Sequence, residues 1–148
     1  MTLMNVILDI VGFKKNKKMI DNGLRARIVL CKMFDIEERD IVFMQSREAN
    51  KVKARRFYNY YLWRFKMVKH NDMKIWIDGL HHSSSIYHCR LMEREIDIYK
   101  SIRKDFITFL WYADRKEWEK LKIDMAFPIT ELNNIDYKKQ YVDIINLN

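Results

Sequence analysis

The chain has 148 residues, 49% hydrophobic and 14% aromatic, enough to close one core at a size where roughly two-thirds of the unfolded surface is buried. That composition excludes a disordered chain. Three Gly and one Pro exclude the turn-rich all-β sandwich or barrel, leaving an all-α, compact multi-helix bundle, while 28 Lys and Arg against 20 Asp and Glu give a net charge of +8 that points to a polyanionic partner.

The longest apolar run, Leu3 to Phe13, is interrupted by Asn5 and Asp9, and Lys14, Lys15, Lys17 and Lys18 follow it instead of preceding it. It reads as neither a membrane span nor a signal peptide, so a cytoplasmic protein with no membrane partner is expected. From Lys18 to Phe34 the apolar positions Met19, Ile20, Leu24, Ile28, Cys31 and Phe34 step by three and four, predicting an amphipathic helix with Arg25, Arg27 and Lys32 outside. Asp35 is placed to cap a short helix, Ile36 to Met44, with Glu38 completing a capping box and Ile41 and Val42 turned inward. Gln45 to Ala49 has no period and reads as a loop. A long helix from Asn50 to Val68 follows, with Asn50 as its cap and Val52, Phe57, Tyr61, Leu62 and Phe65 on its apolar side.

The sequence between 47 and 74 carries the charge. Arg47, Lys51, Lys53, Arg55, Arg56, Arg64, Lys66, Lys69 and Lys74 stand there against Glu48 and Asp72 alone. Aromatic side chains interleave the same stretch in the manner of base-stacking platforms. Phe57, Tyr61 and Phe65, however, recur at i, i+4 and i+8 and make one buried stripe.

His70, Asn71 and Asp72 break the long helix. Met73 to Ile77 then forms a helical turn or two, Gly79 ends it, and Ser83 caps the next helix. A short helix, a tight turn and a second helix describe a helix-turn-helix whose second helix presents His82, Ser83, Ser84, Ser85, Tyr87 and His88 at its start. Beyond it, Ile86, Cys89, Met92, Ile96, Tyr99, Ile102, Phe106 and Phe109 continue as one rod or as two helices broken near Lys100. A last helix is predicted over Asp114 to Leu121, before a segment with Pro128, Thr130 and a weak apolar pattern ending at Ile145. Cys31 and Cys89 read as free apolar thiols. His81, His82, His88 and Cys89 lack the second Cys-x-x-Cys half of a metal site, so no metal is expected. Glu93 and Asp97 lie beside Arg90 and Arg94, so surface ion pairs are expected instead of an enzyme.

The run His82-Ser83-Ser84-Ser85-Ile86-Tyr87-His88-Cys89, with Arg90, Glu93, Ile102 and Asp105-Phe106 beyond it, resembles the C-terminal double-stranded-DNA-binding domain of the bacterial replication initiator DnaA. The recognition helix of that family opens Asp-His-Thr-Thr-Val, carries a His three residues after the second Thr, and precedes an Ile-x-x-Asp-Phe helix. Ser84 and Ser85 stand for the two Thr, Ile86 for Val and His88 for the His. Upstream, Val52-Lys53-Ala54-Arg55-Arg56-Phe57 with Tyr61-Leu62 is similar to the family's Val-x-x-x-Arg-x-x-x-x-x-Leu helix. The resemblance covers about residues 20 to 112.

It implies a DnaA domain IV, Trp-repressor-like bundle containing a helix-turn-helix, a DNA-binding unit over residues 1–112, and an extension or arm over 113–148. The implied partner is double-stranded DNA. His82, Ser83, Ser84, Ser85 and His88 would meet base edges, with Lys51, Arg55, Arg56, Arg64 and Lys66 on phosphates and Arg47 in the place of the family's minor-groove Arg. His82 and Ser83 replace the Asp-His pair, so a different target site is expected. No G-x-x-x-x-G-K-[ST] occurs, so the expectation is a DNA reader without a nucleotide cofactor, in replication or transcription control of a phage, plasmid or bacterium. The alternative is a non-catalytic protein-interaction or structural module of a mobile element. In that case Trp111, Tyr112, Trp118, Phe127, Tyr137 and Tyr141 around the extension engage a protein partner or a second copy.

Overall fold

A computed structural model describes residues 17–124. The predicted features at Leu3 to Phe13, Pro128, Thr130 and the aromatics Phe127, Tyr137 and Tyr141 lie outside the described residues. Six α-helices and one 3-10 helix are found among those described: α1 (Lys17–Phe34), α2 (Glu38–Val42), α3 (Ala49–Lys66), the 3-10 helix His70–Ile75, α4 (His82–Ile98), α5 (Lys100–Ala113) and α6 (Arg115–Asp124). No strand occurs among them. The single extended contact is a parallel bridge between Phe43 and Asp78, in which Asp78 N–H donates to Val42 O at 2.6 Å. The protein is an all-α bundle.

The bundle is built around α3, which packs against α1, α2, α4 and the 3-10 helix. Phe57 to Leu62 are six consecutive buried residues, so α3 has core on all sides through its middle and not along one stripe. Phe57 and Tyr61 are fully buried as their spacing predicts, and Tyr58 and Tyr60 join them from the other faces. Phe57 meets Phe34, Phe106 and Phe109 with ring centroids 5.4, 5.5 and 6.3 Å away. Such aromatic pairs add about 0.5–1.5 kcal/mol each beyond area burial. The buried hydroxyls are satisfied: Tyr58 donates to Gly23 O at 3.1 Å and Tyr61 to Asp114 Oδ2 at 2.7 Å.

Several boundaries differ from those the sequence predicts, each for a local reason. Asp35 does not cap the second helix. It takes φ 53° and closes α1, with Ile36 N–H returning to Cys31 O at 3.0 Å, a left-handed position that Asp tolerates. The cap passes to Glu37, whose N–H donates to Asp40 Oδ2 at 2.9 Å. The inward face of α1 is also rotated. Arg27 is buried, its Nε 3.0 Å from Glu38 Oε1, while Ile28 is exposed. The long C-terminal pattern is two helices. Tyr99 is extended between α4 and α5, and Arg103 Nη1 donates to Ile96 O and Asp97 O at 2.8 and 3.1 Å, satisfying carbonyls that a continuous rod would have paired internally.

Gly23 was not singled out by any sequence pattern. A Cβ there would lie 2.6 Å from Cζ3 of Trp76, and Trp76 is buried, so glycine makes the notch that seats this ring against α1. At the other end of the chain, Trp118 and Leu121 of α6 are buried in the same core as the rest. The described part of the extension therefore completes the bundle.

Candidate nucleic-acid interface

The segment leading into α4 departs from the predicted short helix at Met73 to Ile77. A 3-10 helix occupies His70–Ile75 instead, taking in the three residues expected to break the chain. Gly79 turns at φ 82° with open space where a Cβ would be, so backbone conformation alone favours glycine there. The parallel bridge at Asp78 pins this turn to the end of α2.

Helix α4 begins at His82, two residues earlier than a Ser83 cap would give. Its N-cap, His81, makes no side-chain capping hydrogen bond. Ser85 N–H is paired with His81 O at 2.9 Å, so the opening N–H groups at His82, Ser83 and Ser84 carry the open positive end of the helix. His81, His82 and Ser83 are exposed, Ser84 is half-exposed, and Tyr87 is 62% exposed.

Two of the five predicted base-contacting residues are turned elsewhere. Ser85 is fully buried. Its Oγ donates to Asn59 Oδ1 at 2.9 Å and lies 2.7 Å from His70 Nδ1. Since the hydroxyl has one proton, His70 Nδ1 supplies the other hydrogen bond. Trp63 stacks on the His70 ring, centroids 5.1 Å apart. The inward stripe of α4 is Ser85, Cys89, Met92 and Ile96, so Ser85 cannot reach a base edge without unwinding the helix start. His88 is half-buried, and its Nδ1 accepts from Arg56 Nε at 3.4 Å.

The predicted phosphate-contacting residues divide likewise. Arg55 is 8% exposed and donates to Asp40 O at 2.7 Å and to Ser46 O; burial lowers its pKa, with the Asp40 carboxylate opposing. It is a wall residue, not a free contact. Lys66 is committed to a buried ion pair, Nζ 2.6 Å from Asp114 Oδ2. Lys51 lies 3.4 Å from Asp40 Oδ1 and 3.6 Å from Glu48 Oε2. Arg47 and Arg64 are exposed. Arg47 lies in the loop before α3 and Arg64 in its last turn, so they serve different stretches of any backbone they touch. Arg56 sits between, held by His88 and 3.8 Å from Glu95 Oε1.

Ser46, Arg47, Arg55, Arg56, Asn59 and His88 line a cleft of about 230 Å³ beside the start of α4, whose remaining wall is apolar. Across the helix start, His70 lies close enough to Arg90 and His82 for both to oppose its protonation. Arg90 and Lys74, both exposed, were not assigned roles from sequence. Among the described residues no group of three or more His, Cys, Asp or Glu is arranged to hold a metal ion, and no helix is long and apolar enough to cross a membrane.

The histidines give a pH dependence. Burial lowers the pKa of His88, reinforced by Arg56 and Arg55; burial lowers that of His70, reinforced by Arg90 and His82. Below the ordinary value near 6.5 the unfolded chain takes up protons that the folded one refuses. Their contribution to stability is therefore present above about pH 6.5 and is lost as pH falls toward the depressed folded values. Urea midpoints should decline from pH 7.5 to 5.5, with a shallower decline for His88→Gln; identical slopes would remove His88 from this account. The same shift favours the uncharged imidazole of His88 in the free protein, so burial works against its adding charge toward a phosphate.

Compared with family models, curated proteins and solved structures, the chain matches none.

Proposed function

We propose that the chain binds double-stranded DNA, seating the N-terminal turn of α4 in the major groove. What carries this reading is the start of α4: an end with no side-chain cap, fronted by His82, Ser83 and Ser84, with Arg47 and Arg56 on one side and Arg90 on the other. Open N–H groups attract phosphate. Short hydroxyl side chains let the backbone approach base edges, where they donate or accept with modest selectivity. His82, Ser83 and Ser84 form the base-facing set, and Arg47, Arg56 and Arg64 hold phosphates. The resemblance of 82–89 to the initiator's recognition helix gives the same orientation, and control of replication or transcription on a phage, plasmid or bacterial chromosome is the process it fits.

The test is selection of bound sequences from a random duplex pool, then anisotropy titration of the selected site. Ser83→Glu with Ser84→Glu places two negative charges at the reading edge. At ~1–3 kcal/mol for each disrupted contact, affinity should fall roughly 100-fold or more. Arg47→Ala should weaken all sequences alike and reduce the slope of log affinity against log salt by about one. Unaltered affinity of the selected site in the double Glu variant would overturn the assignment.

A second reading, a protein-interaction module, draws on Ile98 and Tyr99, which are 60% and 55% exposed side by side at the α4–α5 corner. An Ile98→Asp, Tyr99→Ser variant that keeps full duplex affinity separates that surface from the DNA face.

A further inference from the structure

We infer that the cleft between α3, the loop before it and α4 is a binding site for one phosphate-class oxyanion. Three guanidinium groups and an imidazole reach its wall, from Arg47, Arg55, Arg56 and His88, together with Ser46 and Asn59, and no carboxylate lines it. Arg55 makes this more than a charged surface. It is buried in the wall, and its nitrogens are held by two neutral carbonyls, Asp40 O and Ser46 O. The Asp40 carboxylate is turned away to Lys51 and the Glu37 N–H. A fixed positive charge therefore stands behind the cleft with no carboxylate hydrogen-bonded to it, although the Asp40 carboxylate is near enough to act on it, and the apolar remainder of the wall strengthens its field.

Arg56 is correspondingly unspent. Its Nε is engaged by the neutral His88 and its Nη1 is 3.8 Å from Glu95, a separation at which the pair is weak. That leaves guanidinium N–H groups for an incoming oxygen pair, the geometry in which Arg binds phosphate best. Arg47 is exposed at the mouth. Size narrows the ligand. At about 230 Å³ the cleft falls short of the pockets of about 300 Å³ or more that enclose larger ligands, and it takes one phosphate group together with its attendant waters. The same chemistry is offered by free phosphate, a phosphomonoester or one unit of a nucleic-acid backbone. The site shares Arg47 and Arg56 with the proposed DNA face and rests on that reading for its nucleic-acid source, but phosphate binding in it does not need the base-facing turn of α4.

The test is an amide NMR titration of the full chain with inorganic phosphate, against sodium chloride at matched ionic strength. Saturable shifts at Arg47, Arg56 and His88 are expected with phosphate alone. Arg47→Gln and Arg56→Gln should each weaken them about tenfold, the lower end of what a charged hydrogen bond contributes. Arg56→Lys, which keeps the charge, should retain part of the affinity, and Arg47→Gln, on an exposed loop, leaves the fold untouched. Equal responses to phosphate and chloride, or undiminished phosphate shifts in both Gln variants, would overturn the site. Adding a short duplex to the phosphate-saturated protein distinguishes the sources: displacement of phosphate assigns the cleft to a nucleic-acid backbone, and simultaneous binding assigns it to a free phosphate. Loss of duplex binding alone leaves the phosphate titration intact, so the two proposals fail separately.

Discussion

Replacing Asp114 by alanine should destabilise the fold by about 4 kcal/mol, the scale for removing one partner of a buried ion pair. The carboxylate is 5% exposed and joins three elements. Oδ2 accepts from Tyr61 OH at 2.7 Å and lies 2.6 Å from Lys66 Nζ, which ties it to the end of α3. Oδ1 accepts from Glu117 N–H at 3.4 Å and the backbone carbonyl from Trp118 N–H at 3.1 Å, which caps α6. Without it, the Tyr61 hydroxyl is buried unpaired and Lys66 keeps only Glu117 at 3.8 Å. Burial, then the Asp114 charge, drives the Tyr61 pKa far above its ordinary value, so the phenol stays a donor at every accessible pH. Asp114→Asn retains an acceptor for Tyr61 and the cap but not the charge facing Lys66, so its loss should be smaller. Equilibrium urea unfolding measures both. A loss under about 1 kcal/mol for the alanine variant would place the carboxylate in solvent-like surroundings.

Ser85 is the second position of large effect. Alanine there leaves Asn59 Oδ1 and His70 Nδ1 without their buried partner, at about 1–3 kcal/mol. Glutamate forces a charge and added volume into a site of no exposure, and should leave the chain largely unfolded at 25 °C, since a buried unpaired charge consumes most of a domain's ~5–15 kcal/mol. Circular dichroism and urea midpoints distinguish this from loss of a DNA contact: Ser84→Glu should retain the wild-type spectrum and midpoint, Ser85→Glu neither. A folded Ser85→Glu of normal stability would show that the hydroxyl network does not hold α4 in place.

These two residues mark where sequence stops informing. Period identifies helices, and it located α1, α3 and α4 to within a residue or two, along with the turn at Gly79 and the buried pair Phe57 and Tyr61. Period assigns apolar residues to a face, and it has no rule for a polar residue on that face. Ser85 falls on the inward stripe of α4, yet in a run of three serines it looks like part of a solvated helix start; only Asn59 and His70, brought by other elements, make a buried hydroxyl stable. Arg27, Arg55 and Lys66 were misread for the same reason. A basic side chain looks like surface until its partner is known, and the partners are a carboxylate eleven residues on for Arg27, loop and helix carbonyls for Arg55, and a carboxylate beyond α5 for Lys66. Exposed groups were more legible. His82, Ser83 and Arg47 are exposed as their residue types suggest.

The notch at Gly23 has a consequence for how a surface of this kind can drift over generations. Trp76 opens the turn that delivers α4, and its ring rests on α1, a helix that contributes none of the proposed contacts. The aim of the helix start is thus fixed from behind, by a glycine and an indole facing one another. Outward residues such as Ser83 and Arg47 are free to vary and retune a target, whereas Gly23 and Trp76 can change only as a matched pair, small against large. Variation in what the protein recognises and constancy in how it presents that face are therefore written in different helices.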